Sequence, residues 1–136
     1  MKIRNDYITL LLRIGLGVVL IYFGFLNITA PETYMSFVPE QLTRYVAAIF
    51  LMQINGVVEI LFGLFLIGGL YRRIVAVLVG LHILGIAFLM WSVAPDISAR
   101  DFGLALAAFA LSMMNEDKHS LDKKWREKVF AEKKQL

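Results

Sequence analysis

The clearest indication of fold class is the stretch VAAIFLMQINGVVEILFGLFLIGGLY, residues 46–71. It contains one charged side chain, Glu59, and an α-helix needs about 20 predominantly apolar residues to cross the hydrocarbon core of a bilayer. The rest of the 136-residue chain agrees, because 59% of the residues are hydrophobic, 18% are charged and the mean hydropathy is +0.69. This composition excludes an ordinary water-soluble domain and predicts an integral membrane protein.

Three further apolar runs lie on either side of this stretch, at residues 7–29, 74–94 and, shorter than the others, 102–114. The last run reaches membrane thickness only if its helix starts at Ser98, where Ser98 and Asp101 form an S-x-x-D capping box. We therefore expect an all-α protein, with a four-helix transmembrane bundle over residues 1–114 and an amphipathic cytoplasmic tail over 115–136.

The basic residues predict the orientation of the helices. Eleven of the fourteen lysines and arginines precede the first run, lie at Arg72 and Arg73 between the second and third, or belong to the tail. Cytoplasmic segments of membrane proteins carry this excess, so both termini are expected in the cytoplasm and the chain in the cell inner membrane as a multi-pass protein. Membrane topology therefore accounts for the net charge of +3, and no nucleic-acid partner is expected.

The connections predict how the helices are arranged. Arg72 and Arg73 leave almost no loop between the second and third runs, which favours an antiparallel hairpin of adjacent helices. Residues 30–45 contain prolines and aromatic side chains and are expected to pack over the outer face of the bundle, where they could cover a pocket.

Polar side chains inside the apolar runs are the candidate functional groups, because each costs free energy in hydrocarbon and normally faces a partner in the bundle. Helical spacing places Arg13 and Asn27 on one glycine-bearing face and Asn55 with Glu59 on another. A rise of about 1.5 Å per residue puts several of these groups at overlapping depths. One buried network is predicted, comprising Arg13, Asn55, Glu59, His82, Arg100 and Asp101.

Two interpretations of this network stay open. Its ion pairs could fix the register of helices that have little other reason to choose one another in lipid. Alternatively, Glu59, His82 and Asp101 are candidate catalytic groups that exchange protons beside a ligand cavity. No metal centre is expected, since the chain has no cysteine and a single intramembrane histidine cannot supply bis-histidine haem ligation.

The order of short motifs along the chain resembles the DoxX family of small four-helix membrane proteins. The motifs are Arg13 with Gly15 and Gly17, Gly24, Glu59 with Gly63, Arg72, Arg100-Asp101 and Ser120-Leu121-Asp122. The resemblance implies functional positions at Arg13, Glu59, Arg100 and Asp101. Family members commonly have a lysine where this chain has Asn27, so the resemblance does not imply the same anionic substrate.

The resemblance also implies a class of function, because relatives include membrane subunits of a thiosulfate:quinone oxidoreductase and components of other membrane-associated oxidoreductase complexes. We therefore expect a membrane subunit of a quinone-linked oxidoreductase system, with a quinone as exchangeable ligand and a second subunit as partner. The alternative is a non-enzymatic assembly or partner-docking protein whose polar network is structural. A carrier or channel is the third possibility and would require a homo-oligomer.

Overall fold

The computed structural model describes residues 2–44, 46–115 and 118–133, and within these ranges the chain is helical with no β-strand. The all-α prediction is confirmed for this part of the chain. The helices are α1 (Lys2–Thr29), α2 (Glu40–Thr43), α3 (Ala48–Gly68), α4 (Arg72–Met90), α5 (Pro95–Met113) and α6 (Leu121–Lys133), with two 3₁₀ turns, Pro31–Thr33 and Met35–Phe37, between α1 and α2.

Three of the described helices are long and apolar enough to cross a membrane: α1 from Asp6 onward, α3 and α4. Large apolar side chains on their outer faces are exposed, including Leu11, Phe25, Leu61 and Phe88. A surface of this kind is stable when lipid rather than water surrounds it.

Helices α1 and α3 pack backbone to backbone through two pairs of glycines. A Cβ atom on Gly24 would lie 2.6 Å from the Gly56 carbonyl oxygen, and one on Gly63 would lie 2.7 Å from the Gly17 carbonyl oxygen. The glycines are seven residues apart on each helix, so both pairs meet along one antiparallel seam. Side chains larger than hydrogen are excluded at these four positions.

Helices α4 and α5 form the second closely packed pair. Ala76 and Val79 of α4 and Ala105 and Ala108 of α5 are fully buried between them. The Phe109 ring covers Gly80, where a Cβ atom would lie 2.6 Å from a ring carbon. Small residues therefore bring these two helices together as glycines do for α1 and α3.

The predicted hairpin of α3 and α4 is present, although these two helices are not the most closely packed pair. The tight turn is present, with Gly69 (φ 68°) and Tyr71 (φ 46°) in left-handed conformations between the two helices. However, the most extensive contacts join α1 to α3 and α4 to α5. Because lipid offers no hydrophobic gain for helix association, the small residues that permit close contact determine the pairs more than the turn does.

Helix α5 begins one turn earlier than predicted. Pro95 occupies its first position, where a proline's fixed φ suits a helix start. Ser98 is buried within the helix and its Oγ donates to the Ala94 carbonyl oxygen at 3.1 Å, so the predicted capping box is wrong. Helix α5 runs alongside α1. Near the start of α5, Arg100 lies over the Phe23 ring, and just beyond the end of α5 the Thr9 hydroxyl donates to the Asn115 carbonyl oxygen at 3.5 Å.

The glycine seam leads to a stability prediction. Replacing Gly24 by valine should lower the free energy of unfolding by about 1–3 kcal/mol, because the new side chain overlaps the α3 backbone. Gly15→Val is the matched control on the same helix, since a Cβ atom at Gly15 meets nothing within 4 Å. Unfolding by SDS titration in mixed micelles, followed by circular dichroism, measures both. Equal stability of the two variants would contradict the proposed packing.

Candidate functional site

A cavity of about 320 Å³ lies between the α1–α3 pair and the α4–α5 pair. Its walls are mainly apolar, with side chains from all four long helices. The connection between α1 and α3 covers it through Tyr34, Phe37 and Val38 among others, as predicted for residues 30–45. The volume is near the lower end of the roughly 300–1,000 Å³ typical of small-molecule sites.

Among the described residues, the amide and charged side chains that line this cavity are Asn27, Asn55, Glu59, Arg100 and Asp101. The Asn27 Nδ2 donates to Glu59 Oε2 at 2.9 Å, and both residues are buried. Helical side chains lean toward the N-terminus of their own helix, so in the antiparallel pair Asn27 and Glu59 lean toward each other. Asn55 lies one turn before Glu59 on the same face.

Arg100 and Asp101 form the second polar contact of the cavity. The Arg100 Nε donates to Asp101 Oδ1 at 2.9 Å, and a second guanidinium nitrogen lies 2.9 Å from the same oxygen. Asp101 is buried, whereas Arg100 is partly exposed with its guanidinium carbon 4.5 Å from the centre of the Phe23 ring. The cavity therefore contains two carboxyl groups and one guanidinium group.

The structure separates Arg13 from the cavity, which corrects the predicted single network. Its Nε donates to the Leu66 carbonyl oxygen at 2.9 Å and one terminal nitrogen donates to the Ile67 carbonyl oxygen at 2.6 Å. Leu66 lies seven residues beyond Glu59, about 10 Å along α3. The reason is side-chain direction, because Arg13 and Glu59 lean toward opposite ends of the antiparallel pair.

Arg13 belongs instead to a group that we call the inner arginine cluster, comprising Arg13, Arg72, Gly69 and Ser120. Arg72 is 2% exposed and donates to the carbonyl oxygens of Leu111 and Met114, near the end of α5. Ser120 Oγ donates to the Gly69 carbonyl oxygen at 2.8 Å. The two guanidinium groups thus add hydrogen bonds to carbonyl groups near the ends of α3 and α5, where Leu66 and Leu111 also accept from the backbone N–H groups of Gly69 and Met114.

Comparison with known families supports the resemblance inferred from the motifs. The DoxX family model matches residues 8–92, more than half of the chain. The chain belongs to the DoxX family. Searches of curated proteins and of solved structures found no match. With its long apolar helices, this DoxX protein is a multi-pass membrane protein.

The family match includes only part of the site. Asn27, Asn55 and Glu59 lie inside residues 8–92, together with the two arginines of the inner arginine cluster. Arg100 and Asp101 lie beyond the match. In this DoxX protein, Arg100 and Asp101 belong to the site because they line the cavity, not because the family match includes them.

His82 lies outside the lining of the cavity. It is half-buried, with its ring centre 5.7 Å from that of Phe62 in an edge-on arrangement, and its Nε2 has no hydrogen-bond partner among the described residues. The neighbouring Gly85 is exposed, whereas the His82 Nε2 atom is itself shielded from solvent. The proposed catalytic role of His82 has no support from its position.

Two functional positions were missed by sequence reasoning. Asn27 was placed on the inward face but not in the network, although it shares its stripe with Gly24 and so had to face α3. The sequence predicts no buried role for Arg72 beyond a topology signal and a motif position, yet its side chain turns into the protein. In the described ranges no group of three or more His, Cys, Asp or Glu side chains could hold a metal ion, and the expectation of no metal centre stays a prediction.

The inner arginine cluster generates a prediction with a neighbouring control. Gly69→Ala should destabilise the protein by about 1–2 kcal/mol from the left-handed backbone alone, with a further loss because the new Cβ would lie 2.7 Å from the Arg13 guanidinium. Gly68→Ala should have little effect, since its Cβ would make an ordinary 3.4 Å contact with Leu121. The midpoint of thermal unfolding in detergent distinguishes the two variants, and equal midpoints would argue against the packing of Arg13 against Gly69.

Proposed function

We propose that this DoxX protein is the membrane subunit of a quinone-linked oxidoreductase system and that its cavity binds a quinone head group. The observation that supports the proposal most strongly is the placing of Glu59 and Asp101 in one apolar-walled cavity between membrane helices. Buried carboxyl groups at membrane depth are costly and commonly mark proton or ligand pathways. Here Asn27 and Arg100 hold them in defined positions.

The shape and chemistry of the cavity suit this ligand class. Phe23, Tyr34 and Phe37 provide aromatic walls for a flat ring, and the surrounding helices provide apolar surface for an isoprenoid chain. Carboxylate oxygens accept hydrogen bonds, so the hydroxyl groups of the reduced quinol can donate to Glu59 and Asp101. The site is accordingly expected to favour the quinol over the quinone.

The proposed chemistry is proton exchange at the two carboxyl groups. Reduction of a quinone to a quinol adds two electrons and two protons, and oxidation of the quinol releases them. The partner oxidoreductase subunit gives or takes the electrons, while Glu59 and Asp101 exchange the protons with the ligand oxygens.

The proposal includes a topology in which α1, α3, α4 and α5 all cross the membrane as a four-helix bundle. Helix α5 has 19 residues and is roughly 28 Å long, close to the thickness of the hydrocarbon core. Two contacts support the crossing of the membrane by α5. Arg100, near the start of α5, lies beside Phe23, and Asn115, just after its end, accepts from Thr9 near the opposite end of α1. Both termini and the tail over 115–136 then lie in the cytoplasm.

The topology can be tested by cysteine labelling, because the natural chain contains no cysteine. A cysteine at Ser36, on the outer connection, should react with a membrane-impermeant maleimide in intact cells. A cysteine at Glu127, in α6, should react only after the membrane is permeabilised. Labelling of the Glu127 variant in intact cells would contradict the proposed crossing of α5 or the orientation of the bundle.

The ligand proposal is tested by Glu59→Gln. The substitution keeps the size of the side chain but removes its charge, so quinol affinity should fall about tenfold or more. Glu32→Gln is the control, since Glu32 is exposed and does not line the cavity. Titration of the purified protein in nanodiscs with a short-chain quinol, followed by calorimetry, measures the affinity. Unchanged affinity in the Glu59 variant would favour the alternative in which the polar groups are architectural and the protein docks a partner.

A further inference from the structure

A second concave surface lies at the opposite end of the molecule from the cavity's cover, where α6 passes the turn between α3 and α4. This groove has a volume of about 530 Å³, and we call it the basic groove. Leu70 and Leu121 give it an apolar floor, and Tyr71 and Trp125 stand at its edge with about two thirds of their surface exposed. Lys124 and Lys128 also line it.

The position of the basic groove places it at a membrane surface. Leu70 and Tyr71 form the turn that joins two membrane helices, so the polar interface of the bilayer must lie at this level. Tyrosine and tryptophan are enriched at that interface because their rings are apolar and their polar atoms are hydrated. The exposed side chains of Tyr71 and Trp125 at the edge of the groove fit this environment.

The basic groove is held in place by its two walls. Ser120, the residue before α6, donates from its buried Oγ to the Gly69 carbonyl oxygen at 2.8 Å, immediately before the turn. Leu121 packs near Gly68 at the end of α3. The first turn of α6 is therefore fixed against the α3–α4 turn, and a ligand finds the groove already formed.

The charge and polarity of the basic groove point to its occupant. Among the described residues of the lining, two lysines outnumber the one carboxylate, Asp122, so these residues together carry net positive charge. An acidic phospholipid offers a phosphate group to the lysines and acyl chains to the leucine floor, which no small anion does. We propose that the basic groove binds the head group of an acidic phospholipid from the leaflet that faces the chain termini. This site is separate from the cavity and does not depend on the quinone proposal.

The test uses Trp125 as a reporter inside the site. In a Trp91→Phe protein, Trp125 is the only tryptophan, and bromine on lipid acyl chains quenches tryptophan fluorescence at short range. The protein is placed in bilayers of one fixed mixture of phosphatidylglycerol and phosphatidylcholine, with bromine on one lipid or the other. Quenching per mole of brominated lipid should be greater for phosphatidylglycerol, since each lysine raises the local anion concentration about fivefold.

Lysine variants distinguish lipid binding in the basic groove from attraction by the general positive charge of α6. Lys124→Gln combined with Lys128→Gln should abolish the preference for phosphatidylglycerol, whereas Lys123→Gln, on the same helix but outside the groove lining, should keep most of it. Quenching by brominated phosphatidylcholine reports whether Trp125 remains at the bilayer surface in the variants. Equal quenching by both lipids in the parent, retention of the preference in the double variant, or no quenching at all because a protein partner covers the groove would each overturn the proposal.

Discussion

The backbone contact between α1 and α3 sets the geometry of everything else in this protein. Gly24 against Gly56 and Gly17 against Gly63 fix two antiparallel helices in a single register, with no side chain between their backbones. In lipid, where apolar surface alone gives helices little reason to associate, such close contact supplies van der Waals attraction and specificity together. This register then fixes the position of every polar group on one helix relative to the residues of the other.

The register divides the buried polar groups into two sets with different roles. Asn27 and Glu59 lean toward each other and meet at the cavity, whereas Arg13 leans away and reaches the carbonyl groups at the end of α3. Arg72 repeats the role of Arg13 for α5, and the inner arginine cluster closes one end of the molecule. Because Arg13 lies away from Glu59, the described lining of the cavity has more carboxyl groups than guanidinium groups. This excess of carboxyl groups motivates the proton-exchange proposal.

Sequence reasoning could reach the helices, the inward-facing stripes and the cover formed by residues 30–45, because apolar run length and helical spacing are local properties. It could not assign partners to the polar groups, because depth counted along each helix ignores the direction in which a side chain leans. Arg13 lies about 10 Å along the helix pair from Glu59 and leans away from it, whereas Asn27, which was overlooked, leans toward Glu59. The start of α5 was also missed, since the Ser98–Asp101 capping pattern concealed the stronger helix-start signal of Pro95.

We propose that Glu59 serves a ligand, whereas the inner arginine cluster holds the ends of the helices together. Native mass spectrometry of the protein released gently from its own membranes tests this most directly, because it detects small molecules and protein subunits that stay bound. We expect a quinone or quinol mass on the parent protein and its absence from the Glu59→Gln variant, with any partner subunit retained in both. A parent protein without a bound isoprenoid, or a variant that keeps it, would contradict the claim.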